Sequence, residues 1–147
     1  MSRRSNKNPE ALTYRGVTYK SKLEVEVAKL LYTARKKLKK SFVFSYEPVT
    51  FGYILNEREY HPDFEILRED GSAVYIEVKG YLDRDSQRKM LAVKQCNPNE
   101  TFVFLFAKNN PIRKGAKMRY SDWCKKHGFD FSIGEVPERW LTATEPR

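Results

Sequence analysis

The sequence predicts one domain of the α/β (α+β) class, in which helices flank a mixed β-sheet. Residues 64–67 and 73–79 have the composition of strands, and the Asp70-Gly71 pair between them is a strong signal for a β-hairpin. The uninterrupted apolar run TFVFLFA, residues 101–107, is typical of a strand that is buried on both faces of a sheet. Apolar residues at helical spacing before and after the hairpin supply the flanking helices.

The first half of the chain is predicted to contain a tail, one helix and two extended stretches. Residues 1–13 are polar and basic and are predicted to form a flexible tail, so that a single domain spans 14–147. From Ser21 onward the apolar residues recur at helical spacing, which predicts a helix to about Lys40. The other elements of this half are a strand at 42–46 that Pro48 interrupts, an extended stretch at 49–55 and a turn or hinge at 56–59.

The second half is predicted to place helices around the hairpin and the buried strand. Residues 83–95 have helical character, and a loop that carries five cations follows the apolar run 101–107. A short helix is then predicted to begin at Ser121 and to end at Gly128. The segment VPERW is predicted to form one last helical turn, which covers the core with Trp140.

The charge of the chain favours a polyanionic partner. The 147 residues contain 28 Lys and Arg against 19 Asp and Glu, a net charge of +9 that attracts phosphate backbones. An anionic membrane surface is the competing partner, but the sequence has no apolar run of about 18 residues and no basic amphipathic helix with an aromatic face. Nucleic acid is therefore the preferred partner class.

The N-terminus and the cysteines indicate a reducing compartment. No apolar segment follows the basic N-terminus, so we expect neither a signal peptide nor an anchor, and we expect the protein in the cytoplasm. Cys96 and Cys124 are the two cysteines, and they lie in no metal-ligand spacing. We therefore expect both thiols to stay reduced and expect no zinc site.

Three charged residues lie among the apolar residues of the predicted hairpin. Residues two apart in a strand share a face, so Glu77 and Lys79 lie side by side in the pattern Glu-x-Lys. Asp63 follows Pro62 on the partner strand, and the hairpin turn allows its carboxylate to approach that of Glu77. Two carboxylates about 4 Å apart repel by roughly 4 kcal/mol at an effective dielectric near 20, so the pair requires a shifted pKa or a cation.

A divalent metal ion is one way to balance these charges. An all-oxygen ligand set favours Mg²⁺ or Mn²⁺ over zinc, and phosphodiester hydrolysis is the chemistry that uses such a set beside a lysine. The alternative is an ordinary cross-strand ion pair on an exposed sheet face, which contributes about 0.2–1 kcal/mol. The Glu-x-Lys pair taken alone favours the ion pair, whereas Pro-Asp at this distance favours the metal site.

The motifs together resemble those of the PD-(D/E)xK nuclease superfamily and, within it, the phage endonuclease I family of Holliday-junction resolvases. The resemblance extends from about residue 14 to residue 141, with the motifs in the same order and at the same spacing. The motifs that carry it are SKLEVEVAKLL, FSYEP, YHPDF, YIEVKG, RKMLAVKQCNP, YSDWCKKHG and VPERW. It implies a restriction-endonuclease-like mixed sheet and a metal-dependent endodeoxyribonuclease that resolves four-way and other branched DNA junctions.

The resemblance also implies roles for individual residues. Asp63 and Glu77 would bind Mg²⁺, for which Mn²⁺ can substitute, and Lys79 would be the catalytic lysine. Glu24 would be a further acidic member of the site and a metal ligand, although Ser21 and Glu24 also form the pattern of a capping box at a helix start. His61 and Glu47 are set apart from this group, since the family pattern does not require a histidine at 61 and an auxiliary acidic role for Glu47 is left open.

The resemblance further implies an intertwined homodimer. Residues 49–59 match the bridge through which two subunits exchange halves, so Glu24 of one chain would join Asp63, Glu77 and Lys79 of the other. Such a dimer would cut two strands of a four-way junction and would contact mostly phosphates. The basic residues expected to contact DNA are Arg15, Lys20, Arg84, Arg88, Lys89, Lys114 and Lys117.

Two alternatives are left open by the sequence. The first is a nuclease of the same superfamily that acts on other DNA, as a transposase or repair enzyme does. The second is a basic DNA-binding protein that uses the fold without catalysis, although such a protein has no reason to keep the acidic residues and the lysine together.

Overall fold

A computed structural model describes residues 9–53 and 58–143, and its centre is a mixed five-stranded sheet. Its strands, in order across the sheet, are β3 (Phe42–Tyr46), β6 (Phe64–Arg68), β7 (Ala73–Lys79), β8 (Phe102–Phe106) and β9 (Asp130–Ile133). The pairs β3-β6 and β6-β7 are antiparallel, and the pairs β7-β8 and β8-β9 are parallel. The mixed sheet flanked by helices is confirmed.

Helices cover the two faces of this sheet, because alternate strand residues point to opposite sides. One core joins helix α1 (Lys22–Lys37) and helix α4 (Glu138–Leu141) to one face, and its sheet residues include Ile66, Val74 and Ile76. The other core joins helix α2 (Arg84–Cys96) and helix α3 (Tyr120–His127) to the opposite face, where Tyr75, Phe102 and Phe104 lie. None of the described helices combines the length and apolar character needed to cross a bilayer.

The predicted elements of the second half are found with small shifts at their ends. The β6-β7 hairpin turns at Asp70, whose Oδ1 accepts a hydrogen bond from Ser72 N at 2.9 Å, and at Gly71 with φ 85°. All five residues of β8 are buried, as expected for a strand with neighbours on both sides. Helix α3 begins one residue earlier than predicted, and Gly128 ends it in the left-handed conformation with φ 73°.

The N-terminal boundary differs from the prediction. Residues 1–8 of the predicted tail lie outside the described residues, but Glu10–Leu12 form a 3-10 helix and Leu12 is buried in the α1 core. Two short strands follow, β1 (Thr13–Tyr14) and β2 (Val17–Thr18), and they pair with each other. Residues 10–12 therefore belong to the folded domain and not to a flexible tail, because Leu12 packs into the apolar core. Its polar sequence neighbours gave no sign of this contact.

Helix α1 is shorter than predicted. Ser21 caps its start and it ends at Lys37, whereas the sequence predicted an end near Lys40. Lys39 and Lys40 both have positive φ, 54° and 59°, so the backbone leaves the helix there. Apolar periodicity carries little information in this final stretch, since it consists mostly of cations.

The segment between β3 and β6 folds as a second hairpin within the single chain. Strand β4 (Phe51–Tyr53) pairs with strand β5 (Arg58–Tyr60), with Phe51 opposite Tyr60, and residues 54–57 between them lie outside the described residues. The predicted turn at 56–59 is wrong for residues 58 and 59, which belong to β5, and its first two residues lie outside the described residues. Phe51 packs edge to face on Tyr75, with ring centroids 4.7 Å apart, which fixes the hairpin to the sheet.

Candidate active site

The β6-β7 hairpin brings Asp63 next to Glu77 and Lys79. Phe64 pairs with Ile76 in this hairpin, so Asp63, one residue before Phe64, lies beside the next part of β7. The backbone N–H of Val78 donates a hydrogen bond to Asp63 Oδ2 at 2.8 Å. The convergence predicted for the two strands is therefore present in the structure.

Glu77 is held from two sides although it is almost completely buried. Its exposed fraction is 4%, and such burial is unfavourable for a carboxylate unless its oxygens are paired. Tyr60 Oη donates to Glu77 Oε2 at 2.6 Å, and Lys79 Nζ lies 3.1 Å from Glu77 Oε1. Both carboxylate oxygens of Glu77 thus have polar contacts.

Glu24 reaches the same site from the first turn of α1. Its backbone N–H donates to Ser21 Oγ at 3.1 Å, which is the capping contact predicted from the sequence. Its buried side chain points to other partners, and Oε1 accepts hydrogen bonds from Lys20 N at 2.9 Å and from Tyr46 Oη at 3.0 Å. Glu24 is also near enough to Asp63 to help raise the pKa of that carboxyl group, after burial and Glu77. One residue therefore belongs both to the helix cap and to the carboxylate group.

The three carboxylates repel one another strongly. Burial raises the pKa of Asp63 well above its ordinary value. The negative charge of Glu77 raises this pKa further, and so does the nearby Glu24. The Val78 N–H opposes the shift only in part. The site therefore carries more negative charge than Lys79 alone balances, and it would be stabilised by an added cation.

The donor atoms fit a hard divalent cation. The side chains of Glu24, Asp63 and Glu77 offer carboxylate oxygens, which Mg²⁺ and Mn²⁺ prefer. In residues 9–53 and 58–143, however, no three acidic, histidine or cysteine side chains are gathered closely enough to form a ready-made metal site. In this arrangement the two oxygens of Glu77 contact Tyr60 and Lys79.

The sequence analysis did not identify two tyrosines of the site. Tyr60 is 1% exposed and donates to Glu77, while Tyr46 donates to Glu24. Both phenols have their pKa raised by burial and by the neighbouring carboxylate, so both remain protonated donors. The sequence offered one indication of their role. Each tyrosine lies in a motif, FSYEP or YHPDF, that also contains an acidic residue.

The predicted DNA-contacting residues lie in several places. Lys20 forms an ion pair with Glu47 at 2.6 Å, and Arg15 lies over the ring of Tyr32 at 4.2 Å. Arg84, Arg88 and Lys89 lie on α2, and Lys114 and Lys117 are exposed in the loop before α3. A cavity of about 360 Å³ is lined by Tyr53, Arg58, Asp83, Asp85, Ser86, Arg88 and Lys89.

This cavity lies next to the carboxylate site. Lys89 Nζ is 5.3 Å from the centroid of the Tyr60 ring, and the hydroxyl of that ring contacts Glu77. His61 faces elsewhere, since its Nδ1 is 2.9 Å from Thr50 Oγ1 and its Nε2 is 3.8 Å from Glu59. Among the predicted cations, Lys20 contacts Glu24 through its backbone N–H, and Arg88 and Lys89 line the neighbouring cavity. Arg58 also lines this cavity, although it was not among the predicted cations.

Comparison with known proteins gives consistent matches over most of the chain. The family described as phage endonuclease I matches residues 7–147. The chain is 31% identical over 125 residues to Endodeoxyribonuclease 1 of Enterobacteria phage T3, which covers 83% of this chain and 76% of that protein. It is 28% identical over 126 residues to Endonuclease I of Escherichia phage T7, which covers 84% of this chain and 78% of that protein.

Two similar solved structures have lower sequence identity to this chain than the phage proteins do. A repair endonuclease from Pyrococcus abyssi aligns with a TM-score of 0.47 and 18% identity, over 82% of this chain and 50% of that one. An XisH family protein from Nostoc punctiforme PCC 73102 aligns with a TM-score of 0.44 and 15% identity, over 81% of this chain and 94% of that one. The sequence matches, which span nearly the whole chain, show that this protein belongs to the phage endonuclease I family.

Proposed function

We propose that this endonuclease hydrolyses phosphodiester bonds in four-way and other branched DNA, with Mg²⁺ as the cofactor and Mn²⁺ as a possible substitute. The observation that carries the proposal is the group formed by Asp63, the buried Glu77 and the half-buried Lys79, in a member of the phage endonuclease I family. This group concentrates negative charge beside one lysine, which is an arrangement that a phosphodiester-cleaving site uses and a structural ion pair does not need.

The chain's own residues supply specific parts of such a reaction. A bound Mg²⁺ would polarise the phosphoryl oxygen and lower the pKa of a water molecule there. Asp63, Glu77 and Glu24 would hold the cation. Lys79, whose ammonium group already lies at the Glu77 carboxylate, would orient the attacking water or stabilise the charge that develops on the phosphate.

The surface around the site supports DNA as the substrate. The net charge of +9 attracts the backbone phosphates, and Arg58, Arg88 and Lys89 line the cavity next to Tyr60. The seven cations predicted from the sequence would contact phosphates and fix the position of the DNA rather than read its bases. A host cell's cytoplasm is the compartment in which we expect this substrate to be met.

The family relationship also supports an exchanged homodimer. The β4-β5 hairpin connects two halves, residues 9–53 and 58–143, and strands β3 and β6 from the two halves pair with each other. If the hairpin opens into a bridge, as predicted for residues 49–59, a second copy can supply the same contacts to each half. Glu24 of one chain would then meet Asp63 of the other, and the dimer would hold two sites for two strands of a junction.

Two alternatives make different predictions. A repair or transposase type of nuclease on the same fold would cut linear or nicked DNA as well as junctions. A purely DNA-binding protein would bind junctions without any cleavage. Asp63, Glu77 and Lys79 argue against the second alternative, because a protein that only binds a polyanion gains nothing from buried carboxylates.

The site itself is tested with Asp63→Asn and Glu77→Gln. Each change removes a negative charge that would hold the cation, so we expect no detectable cleavage of a four-way junction in Mg²⁺, while junction binding in Ca²⁺ stays within about twofold of wild type. Cleavage is measured on gels and binding by mobility shift. Glu26→Gln is the matched control, since Glu26 is exposed on α1 and pairs with Lys29 at 3.4 Å. Normal cleavage by either site variant would remove this group as the catalytic centre.

A further inference from the structure

We infer that Tyr60 is a positioning residue, which orients the Glu77 carboxylate so that Oε1 faces Lys79 and the reacting group. The inference rests on the proposed function, because it gives Glu77 a task that depends on its orientation. Its basis is the hydrogen bond of 2.6 Å from Tyr60 Oη to Glu77 Oε2, within a contact that excludes water.

The position of Tyr60 is fixed by its surroundings. Tyr60 ends strand β5, where it pairs with Phe51, and its ring packs edge to face on Phe102 with centroids 6.0 Å apart. Lys89 Nζ lies over the same ring at 5.3 Å from the centroid. With an exposed fraction of 1%, the ring cannot reorient without disturbing β8 and α2, so its hydroxyl is held at one place.

The two oxygens of Glu77 therefore differ in their partners. Oε2 accepts from Tyr60, a neutral donor on an immobile ring, whereas Oε1 lies 3.1 Å from the ammonium of Lys79. Lys79 is half-buried on a flexible side chain and can move away from Oε1 more easily than Tyr60 can move away from Oε2. Tyr60 thus holds one oxygen in place and leaves the other available for exchange between Lys79 and a cation.

Tyr46 has a related position at Glu24. Its hydroxyl donates to Glu24 Oε1 at 3.0 Å, but the backbone N–H of Lys20 donates to the same oxygen at 2.9 Å. Loss of the Tyr46 hydroxyl leaves the Lys20 contact in place, so a smaller effect is expected there than at Tyr60.

The chain contains a matched control for removal of the Tyr60 hydroxyl. Tyr75 is also buried in the sheet, and Glu65 lies directly opposite it on β6. Burial, Glu100 and Glu65 raise the pKa of the Tyr75 hydroxyl, so this phenol also lies near carboxylates. Tyr75→Phe therefore removes a hydroxyl near carboxylates in the same sheet but outside the proposed site. A general loss of packing or stability would appear in both variants, whereas a loss of positioning would appear only in Tyr60→Phe.

The experiment compares full-length wild type, Tyr60→Phe, Tyr46→Phe and Tyr75→Phe. Ca²⁺ affinity is measured by calorimetry, junction binding in EDTA by mobility shift, and junction cleavage in Mg²⁺ on gels. We expect Tyr60→Phe to weaken Ca²⁺ binding and to slow cleavage by about 10- to 100-fold, as loss of a hydrogen bond to a metal ligand typically does. Tyr46→Phe should show a smaller loss, Tyr75→Phe should match wild type, and binding in EDTA should be equal for all four.

Each outcome decides the inference. Equal Ca²⁺ affinity and cleavage for Tyr60→Phe and Tyr75→Phe would overturn it, as would a wild type that binds no Ca²⁺. If Tyr60→Phe does not fold, the graded loss in Tyr46→Phe relative to Tyr75→Phe tests the same principle at Glu24, and the absence of any loss there would overturn it. A wild type that binds Ca²⁺ but leaves junctions uncut would refute the proposed substrate, while the Ca²⁺ comparison would still test the role of Tyr60.

Discussion

The pKa of Asp63 depends on residues that are distant from it in the sequence. Pro62 and Phe64 set the start of a strand, but the pKa of Asp63 is raised by its burial and by Glu77 and Glu24, which lie 14 and 39 positions away along the chain. A carboxylate in this environment loses stability as an anion unless a positive charge is added. The high local density of negative charge is therefore a property of the folded site.

The two cysteines provide a test of burial at single residues. Cys124 is fully buried, and burial together with Asp130 raises the pKa of its thiol to about 12, whereas Cys96 is exposed. Since the thiolate is the reactive form, we expect iodoacetamide at pH 8 to label Cys96 in the native protein and Cys124 only after unfolding. Peptide mass spectrometry measures both sites. Comparable labelling of Cys124 in the native protein would contradict the described packing of α3.

The sequence contained enough information to predict part of this site. Asp63, Glu77 and Lys79 could be placed together because strand periodicity and the Asp70-Gly71 turn fix the register of one hairpin. Tyr60 could not be assigned to Glu77 in the same way. Its contact depends on the β4-β5 hairpin and on how that hairpin packs on β8, which are tertiary relationships between segments far apart in the sequence.

At the scale of elements, Asp130 connects strand β9 to helix α4. Its Oδ2 accepts hydrogen bonds from Trp140 Nε1 at 2.7 Å and from Arg139 Nε at 2.8 Å. Trp140 is buried in the α1 core, so this carboxylate holds the last helix against the sheet. The hydrogen bond from Arg139 is the main cause of the lowered pKa of Asp130, and the one from Trp140 contributes.

We expect Asp130→Asn to destabilise the protein by about 1 kcal/mol at pH 7, a modest value because the Asp130–Arg139 pair is partly exposed. A carboxylate with a lowered folded-state pKa contributes stability above its unfolded pKa of about 4 and loses that contribution as the pH falls through the folded-state pKa. The difference between wild type and Asp130→Asn should therefore shrink from pH 6 to pH 3. Urea unfolding at both pH values measures it, and a difference that is independent of pH would contradict this role of the charge.

The elements that the sequence did not predict share a physical property. Strands β1, β2, β5 and β9 have two to four residues, and β9 mixes Asp130 and Ser132 with two apolar residues. Runs this short contain too few residues for a periodic pattern, so pairing with a neighbouring strand decides their conformation. The long elements α2, β7 and β8 were predicted closely, because each contains enough residues to define its buried face.

At the scale of the whole molecule, the division into two halves is the feature with the widest consequences. Residues 9–53 contribute Glu24 and Tyr46, and residues 58–143 contribute Tyr60, Asp63, Glu77 and Lys79. Within one chain the two halves close on each other through β3 and β6. The same contacts are available between two chains, so the proposed exchange would preserve the geometry of each site.

Mixed dimers test the exchange. Chains with Glu24→Ala and chains with Asp63→Ala are refolded together. If halves are exchanged, one of the two sites in a heterodimer is wild type and the other carries both changes, so nicking of a four-way junction should reappear in the mixture. If each site belongs to one chain, every site carries one change and the mixture stays inactive.

The structure offers a matched control for this mixture. Asp63 and Glu77 lie in the same half, so a mixture of Asp63→Ala and Glu77→Ala chains should remain inactive whether or not halves are exchanged. Activity in this control would indicate contamination or recombined chains. An inactive Glu24→Ala with Asp63→Ala mixture, despite proven heterodimers, would contradict the exchange and leave the single-chain site intact.

The central claim is that this member of the phage endonuclease I family acts on branched DNA, and it is tested by one comparison. The cleavage rate of the full-length protein in Mg²⁺ is measured on a four-way junction and on linear duplexes that contain the same sequences. We predict symmetrical cuts near the branch point of the junction, at a rate about 100-fold or more above that on the duplexes, which corresponds to about 3 kcal/mol of discrimination. Equal rates on the junction and on the linear duplexes would contradict the account.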